Sequence, residues 1–422
     1  MNEIENLLLL EVLLIGATYL AIKKHGIWSV SSFVLVLYSI VGFCSINFYL
    51  APGFKYSIHA GNITTYAVVY FWSILMIFFY PLYTFNESYK SIIINIKIFN
   101  ILYYTTFCCS SIVLLHTLIR NDISIENILL NFSDIRQETG YTSMEYHTLL
   151  DGIITGYLAS MKYFGLTFAM FSFFVLKRKR LIDKLFLIVV LVAPIIQSLI
   201  SAGRAEILFL LFSIIFNFLL LRPFLEVKTE KRFEITVLIV MIIIALYILY
   251  ANMSRFGDTT EGESYFLWKY AGESFINFTG ILFPDIKGYT DGMSSFGFFR
   301  RLIGLDYQNS LENLRHIVEV RTKTPSFIFY TFIGNLFRDF GPLITLIIAA
   351  IFSYVMVKKL KCHKALNFSQ LLILSFLGQI FLPGIFYFSL YGQTGNIAII
   401  LLIFFYSKLQ KKQNLLIINS RR

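Results

Sequence analysis

Long runs of apolar residues follow one another along the chain and are separated by short polar breaks. A helix needs roughly 20 apolar residues to cross the hydrocarbon core of a bilayer, with some tolerance for tilt. The segments that meet this length are 5–22, 27–50, 63–84, 98–119, 152–176, 182–200, 205–221, 234–252, 340–357, 367–389 and 394–408. The pattern therefore predicts an all-α, polytopic transmembrane protein with about 11 spans.

The polar breaks define the rest of the predicted organisation. The shortest one, Ser201–Glu206, leaves open an alternative in which one long bent helix contains a charge pair, although two spans fit the length better. Two breaks are long: 120–151 forms a first outer loop and 252–339 a second. The aromatic and cationic residues of Tyr265–Tyr270 are typical of helices that lie at the membrane interface. We expect a single transmembrane domain covering 1–422.

Lysine and arginine are distributed unevenly between the two alternating sets of loops. The loops after the odd-numbered spans are short and hold most of these residues, including the run Lys177–Arg180. Such an excess marks cytoplasmic loops. The charge pattern therefore predicts a multi-pass membrane protein with its N-terminus on the outer side and its C-terminus in the cytoplasm. Both long loops then lie on the outer side.

Composition narrows the classes of function. The 422 residues are 57% hydrophobic and 14% charged, with a formal net charge of +11. The basic excess reports topology and attraction to anionic lipid, so we expect membrane lipid and no nucleic acid as a partner. The four cysteines show neither a disulfide framework nor a zinc spacing, and no nucleotide phosphate loop is present. No metal and no cofactor is predicted.

Arginine predominates over lysine in the predicted outer loops, whereas lysine predominates inside. The planar guanidinium binds phosphate or carboxylate through two hydrogen bonds and never loses its charge, so the outer arginines predict an anion site. Pairing with carboxylates of the outer loops is the alternative. The candidate anion-binding residues are Arg204, Arg255, Arg300, Arg301, Arg315, Arg338 and Lys162.

Three of these candidates stand out by position. Arg204 and Arg338 each lie in a short polar break at the mouth of a span, where a charge needs a partner, and helix capping or an internal ion pair is the alternative for both. Lys162 lies inside the fifth predicted span. It either pairs with a carboxylate or contacts a phosphate that reaches down from the outer leaflet.

Two tracts and the two long outer loops resemble the Wzy polymerases of bacterial O-antigen and related surface polysaccharides. The tracts are Ser201–Glu206, between two spans, and Thr324–Phe327 through Tyr330-Thr331 to Asn335 and Asp339-Phe340-Gly341, before a late span. The resemblance implies a GT-C-like membrane glycosyltransferase. It further implies a location in the bacterial inner (cytoplasmic) membrane, with the N-terminus periplasmic and the C-terminus cytoplasmic. The implied substrates are undecaprenyl-diphosphate-linked oligosaccharides at the periplasmic face, and a chain-length regulator protein is an expected partner.

In that reaction the growing glycan passes from its lipid diphosphate to the terminal sugar of a new repeat unit. Fixed cations can stabilise the leaving diphosphate without a metal, which is the role we expect for the arginines. The acceptor hydroxyl needs a general base, for which Asp339 and His316 are the candidates. A lipid-linked oligosaccharide flippase, an O-antigen ligase and a multispan acyltransferase are the alternatives, and the long outer loop with an odd span number favours the polymerase.

Overall fold

The computed structural model describes residues 2–51, 54, 62–120, 149–200, 205–256, 263–306, 311–361, 365–410 and 414–420. These residues form fourteen helices and three short strands. The helices are α1 (Glu3–His25), α2 (Val30–Leu50), α3 (Thr65–Thr84), α4 (Ile96–Arg120), α5 (Leu150–Val175), α6 (Leu181–Ile200), α7 (Ala205–Leu221), α8 (Val227–Phe256), α9 (Glu263–Asn277), α10 (Gly297–Leu302), α11 (Leu311–Thr322), α12 (Thr331–Leu360), α13 (Phe368–Phe381) and α14 (Gly392–Leu409). Short turns of 3-10 helix follow α7 (Arg222–Phe224) and α13 (Pro383–Ile385). A π-helical turn (Phe278–Leu282) and a short α-helical turn (Phe283–Asp285) continue α9.

Within the described residues, 10 helical segments are long and apolar enough to cross a membrane, namely α1 to α7 and α12 to α14 with the turns that follow them. The prediction of an all-α polytopic membrane protein is therefore confirmed. The eighth predicted span, 234–252, falls inside α8. The first long outer loop lies almost entirely outside the described residues, whereas the second contains α9, α10 and α11.

The chain divides into two compact units, in each of which segments far apart along the chain pack together. The first unit consists of Met1–Glu87, Leu249–Lys361 and Ile380–Tyr391. In its core α2 packs against α1 and α9, and α3 packs against α12. Ser45 donates a hydrogen bond of 2.7 Å to the carbonyl of Gly272, where the two backbones approach closely. Small residues allow such close helix crossings in membranes.

The second unit consists of Ser88–Ile248, Cys362–Gln379 and Gly392–Arg422. Its core contains aromatic rings from several helices, such as Phe99 and Phe171, whose centroids lie 5.0 Å and 4.7 Å from that of Phe368. The helix α5 contains two π-helical turns, Ile153–Tyr157 and Phe171–Val175, and a 3-10 turn at Leu158–Met161.

A small sheet in the second unit was not predicted. Its strands are β1 (Ser91–Asn95), β2 (Ala365–Asn367) and β3 (Leu415–Asn419), in the order β2-β1-β3. The central strand pairs in parallel with β2, with Ile92 opposite Leu366, and antiparallel with β3, with Ile93 opposite Ile417. The three strands belong to three loops that the charge pattern assigns to the same side of the membrane.

Candidate anion site at the kink of α12

The ninth predicted span begins earlier than expected, and this displacement changes the setting of the arginine at its mouth. The helix α12 starts at Thr331 rather than at 340 and is kinked at Gly341, where φ is 74° and ψ is −179°. Only glycine adopts this backbone conformation readily. Pro342 then prevents a regular helical hydrogen bond at the kink. Arg338 and Asp339 therefore lie in the last turn before the kink, inside a helix, and not in a loop.

A tight turn next to the kink holds these two residues in place. The turn spans Thr290 to Ser295 and includes Asp291 and Gly292, both with positive φ (51° and 82°). Asp-Gly is the dipeptide that a turn with two left-handed residues favours. The amide of Thr290 donates to the carbonyl of Arg338 at 3.2 Å, and that of Asp291 donates to the carbonyl of Asp339 at 2.9 Å. These hydrogen bonds connect the 290–295 turn to two carbonyl groups that the kink leaves without regular helical partners.

The Asp339 carboxylate is completely buried and its oxygens are occupied. One oxygen accepts hydrogen bonds from the hydroxyl of Thr290 and, at 3.1 Å, from the amide of Ser294. The other accepts from the amide of Ser295 at 2.7 Å. A carboxylate held in this way anchors the 290–295 turn, and an acceptor hydroxyl has no path to it in this conformation. The geometry favours a positioning role over the role of general base that was predicted.

The guanidinium of Arg338, unlike the Asp339 carboxylate, is buried with its hydrogen bonds incomplete. The side chain is 7% exposed, yet its Nε atom has no hydrogen-bond partner among the described residues. The guanidinium carbon lies 5.7 Å from the ring centroid of Tyr330, a cation–π contact. Burial raises the pKa of the Tyr330 phenol, whose hydroxyl donates to the carbonyl of Pro325 at 2.8 Å. A buried guanidinium with an unpaired N–H group is costly, so this arginine is suited to an anionic ligand.

Two further arginines approach the same turn from other elements. Arg300, at the end of α10, donates from Nη1 to the carbonyl of Asp291 at 2.6 Å. Arg321, on α11, lies with Nη1 3.6 Å from Oδ2 of Asp291, and both side chains are exposed. Arg338, Arg300 and Arg321 therefore surround the 290–295 turn, and we call these three residues the arginine cluster. The three positive charges are accompanied there by two carboxylates, the exposed one of Asp291 and the buried one of Asp339, which leaves a surplus of one positive charge.

The structure does not bring the other predicted site residues into this cluster. Arg301, Arg315 and His316 are exposed, the first on α10 and the other two on α11. Arg255 lies in the last turn of α8, but its side chain is outside the described part of the structure, and so is the whole of Arg204. Lys162 belongs to the second unit, where it is exposed and its amino group lies 5.5 Å from the ring of Tyr163.

Two dipeptides in the sequence indicate local features of this site. The Asp291-Gly292 dipeptide is typical of a tight turn, and Gly341-Pro342 is typical of a helix interruption. Together they could have indicated a turn and a kink in the same loop region. Arg321 and Tyr330 carried no such signal, because their part in the cluster depends on how α11 and α12 pack against the turn.

Fold and site together define a polytopic helical membrane protein with a buried, under-coordinated arginine at one end of a kinked span. No family model, no curated protein and no solved structure matches the chain. The relation to a particular family therefore stays a prediction from the sequence.

Proposed function

We propose that this protein is a GT-C-like membrane glycosyltransferase that polymerises undecaprenyl-diphosphate-linked oligosaccharide repeat units into O-antigen or a related surface polysaccharide. In this proposal the reaction takes place at the periplasmic face of the inner membrane. The glycan moves from the lipid diphosphate of the donor to a sugar hydroxyl of the acceptor. The donor C–O bond to the diphosphate breaks, a new glycosidic bond forms, and the hydroxyl proton passes to a base.

The observation that carries this proposal is the buried Arg338 guanidinium without a hydrogen bond from Nε. A leaving diphosphate gains negative charge as the glycosidic bond breaks, and preorganised donors in a site with little water stabilise that charge. Arg338 is preorganised, because the kink at Gly341 and the stacking on Tyr330 fix the turn of helix that carries it. Arg300 and Arg321 add positive charge at the same turn.

Asp339 acts in this proposal through Arg338, by anchoring the 290–295 turn against the end of the helix. The general base is then a group that an acceptor sugar can reach. Asp291 meets that condition, because its side chain is 73% exposed and lies next to Arg321. His316, which is exposed on α11 outside the cluster, stays the second candidate. A base must come within hydrogen-bond distance of the proton that it removes, so exposure is the first requirement.

The test is the polysaccharide made by a deletion strain that carries variants of this protein. Arg338→Met is expected to give a single capped repeat unit on lipid A core in place of long chains, and Arg338→Lys is expected to restore part of the ladder. Both variants should be present in the membrane at the level of the original protein. Normal long chains from Arg338→Met would contradict the proposal, and bare core in the deletion strain would indicate a ligase or a flippase.

We also propose that α8 is the eleventh crossing. The paired strands β1 and β2 must lie on the same side of the membrane, which requires an even number of crossings between them. Five of the ten segments fall in that interval: α4 to α7 and α12. One more crossing restores the parity, and α8, at 30 residues, is long enough to supply it. Reporter fusions on either side of α8 should give opposite locations, and the same location would exclude this crossing.

A further inference from the structure

The strand β3 forms an edge of the small sheet in the second unit, and among the described residues no strand pairs with its outer side. At its two ends, the amide of Ser420 donates to the carbonyl of Lys90, and the amide of Ile96 donates to the carbonyl of Asn414. Bonded and non-bonded pairs alternate along an antiparallel ladder, so the even-numbered positions of β3 bond to β1. The positions that direct their backbone N–H and C=O groups to the outer side are Leu415, Ile417 and Asn419.

The side chains of β3 are apolar and exposed on both faces of the sheet. Leu415 is 48% exposed, Leu416 41% and Ile417 60%, and successive side chains of a strand point to opposite faces. Proteins commonly protect an edge strand with a charged residue, a proline or a bulge. The segment Leu415–Asn419 contains no charged residue and no proline, and its pairing with β1 is continuous. This edge is therefore open to a further strand.

Positive charges stand at both ends of this edge. Lys90 precedes β1 at the Ser420 end, and Lys97 lies just after β1 at the Asn414 end. Both lysines are exposed, and neither makes an ion pair within the described part of the chain. The sequence after Asp339 contains nine Lys and Arg residues and no Asp or Glu, so the strands β2 and β3 bring no carboxylate to the sheet. The surplus of positive charge favours an acidic ligand.

Shape and charge together discriminate between the possible occupants of the edge. A bilayer surface covers only one face of a strand, whereas the exposed apolar side chains of β3 lie on both. A second copy of β3 in antiparallel register would place the Lys90 end of one sheet next to the Lys97 end of the other, and like charges disfavour that pairing. An added strand with carboxylates at both ends meets opposite charges and covers apolar side chains on both faces.

We infer that β3 is a docking edge for an extended, acidic segment of a partner protein, which adds to the sheet as a fourth strand. Main-chain hydrogen bonds to the outer side of β3 provide affinity, and the apolar side chains and the two lysines provide specificity. The sheet belongs to the second unit, whereas the arginine cluster belongs to the first. The partner is therefore not a substrate of the proposed reaction, and docking does not depend on that proposal.

The experiment measures the binding of a synthetic peptide to the full-length protein in lipid nanodiscs, where both sides of the membrane are accessible. The peptide has five alternating valine and threonine residues, the length of β3, with glutamates at both ends. We expect saturable binding that weakens as salt is added, because salt screens the attraction to the lysines. A peptide with lysines in place of the glutamates should bind at least about tenfold more weakly, because like charges then meet at both ends.

Two changes test the main-chain hydrogen bonds, one in the protein and one in the peptide. Ile417→Pro removes an N–H that is directed away from β1, so the ladder between β1 and β3 keeps its hydrogen bonds. Binding should fall about tenfold, whereas Ile417→Val keeps the donor and should leave binding unchanged. An acidic peptide with N-methyl groups on alternate amides should also bind about tenfold more weakly to the unaltered protein. This peptide tests the same contact without any change that could disturb the sheet.

Several results would overturn the inference. No saturable binding of the acidic peptide, equal binding of the lysine peptide, or full binding of the N-methylated peptide would each exclude strand addition by an acidic segment. A dimer of the protein that Ile417→Pro converts to a monomer would show that a second copy occupies the edge. Labelling of β3 by a photoreactive phospholipid that excess acidic peptide does not reduce would show that the bilayer covers the strand.

Discussion

Two buried polar side chains, Asn217 in the second unit and Arg338 in the first, differ in how far their hydrogen bonds are satisfied. In the second unit, Asn217 is 1% exposed and its side-chain oxygen accepts hydrogen bonds of 3.0 Å from both Thr167 and Ser375, while its nitrogen donates to the carbonyl of Ser213 at 2.8 Å. The hydroxyls of Thr167 and Ser375 are also in contact with each other, so their two protons are shared among three hydrogen-bonding contacts. In the first unit, Arg338 is buried to a similar degree, but its Nε has no partner among the described residues.

This difference separates polar groups that hold helices together from one that is available to a ligand. A satisfied network in a membrane protein links helices and contributes modestly to stability. A buried cation without partners lowers stability, and a protein retains it where a ligand supplies the missing interactions. The Asn217 network therefore has a structural role. The energetic cost at Arg338 is the reason to connect it with an anionic substrate.

The largest effect is expected when Arg338 is replaced by methionine, which keeps much of its volume and removes the charge. If the guanidinium gives two charge-assisted hydrogen bonds to a diphosphate, activity should fall by roughly a hundredfold or more. Stability should instead stay the same or rise slightly, because the gain from removing a buried guanidinium with an unpaired Nε opposes the loss of its attraction to the Asp339 carboxylate. Rates in proteoliposomes and thermal unfolding in detergent measure the two effects separately.

Because activity should fall while stability does not, the two measurements distinguish a functional role of Arg338 from a structural one. Arg338→Lys keeps the charge but loses the planar fork, so its activity should lie between those of the original protein and the methionine variant. If Arg338→Met were strongly destabilised, the arginine would have a structural partner, and the contrast with the Asn217 network would be lost.

The second prediction concerns the kink that positions Arg338. Gly341→Ala places a Cβ atom 2.6 Å from the Tyr289 ring at a backbone conformation with φ of 74°. We expect a loss of about 2–4 kcal/mol in the free energy of unfolding, from backbone strain and overlap with the ring. Tyr289→Ala combined with Gly341→Ala should recover only the part due to overlap. Full recovery by the double variant would show that the backbone conformation carries no strain.

Much of the fold could be predicted from the sequence, because a membrane span leaves a long apolar run that needs no knowledge of its neighbours. For this reason, ten of the predicted spans coincide with helices that are long and apolar enough to cross a membrane. The predicted start of α12 was wrong because the segment Thr331–Phe340 is less apolar than a typical span. Its side chains are buried by other parts of the protein instead of by lipid. The sheet was missed because β2 has only three residues and pairs with a strand more than two hundred residues away.

The site was predicted in part, for a related physical reason. Arg338 was singled out because a charge at the mouth of a span requires an explanation, and the structure places it in a buried position without hydrogen bonds at Nε. The environment of Asp339 could not be predicted, because its hydrogen-bond donors lie in the 290–295 turn, far from it along the chain. A sequence shows which residues are charged, whereas the hydrogen bonds and ion pairs that compensate a buried charge depend on tertiary contacts.

The third prediction concerns the satisfied network of the second unit. Asn217→Ala removes the shared acceptor of two hydroxyls and should lower the free energy of unfolding by about 1 kcal/mol. Activity should then fall only in proportion to the folded fraction, unlike in the Arg338 variants. Leu115→Ala, at an exposed position of α4 in the same unit, serves as the control and should change neither quantity. A large loss of activity in a fully folded Asn217→Ala protein would assign this network a functional role as well.

The smallest effect is a dependence of stability on pH that comes from Glu87, in the connection between α3 and β1. Its carboxylate accepts hydrogen bonds of 3.2 Å from the amide of Val30 and the hydroxyl of Ser31 at the start of α2. Burial nevertheless raises the pKa of Glu87 from 4.5 to about 7. Because this pKa is higher in the folded protein, its contribution to stability is complete below pH 4.5 and is lost as the pH rises through 7.

Between pH 5 and pH 8 the melting temperature should therefore fall, by an amount that corresponds to about 1 kcal/mol after allowance for solvent screening at this partly buried position. Glu87→Gln is neutral at every pH, so it should remove this part of the slope, whereas the exposed Glu312→Gln should leave it unchanged. A slope that persists in Glu87→Gln would place the responsible group elsewhere. Like Arg338, Glu87 is an incompletely compensated charge, but as a carboxyl group it can become neutral, whereas the arginine requires a ligand.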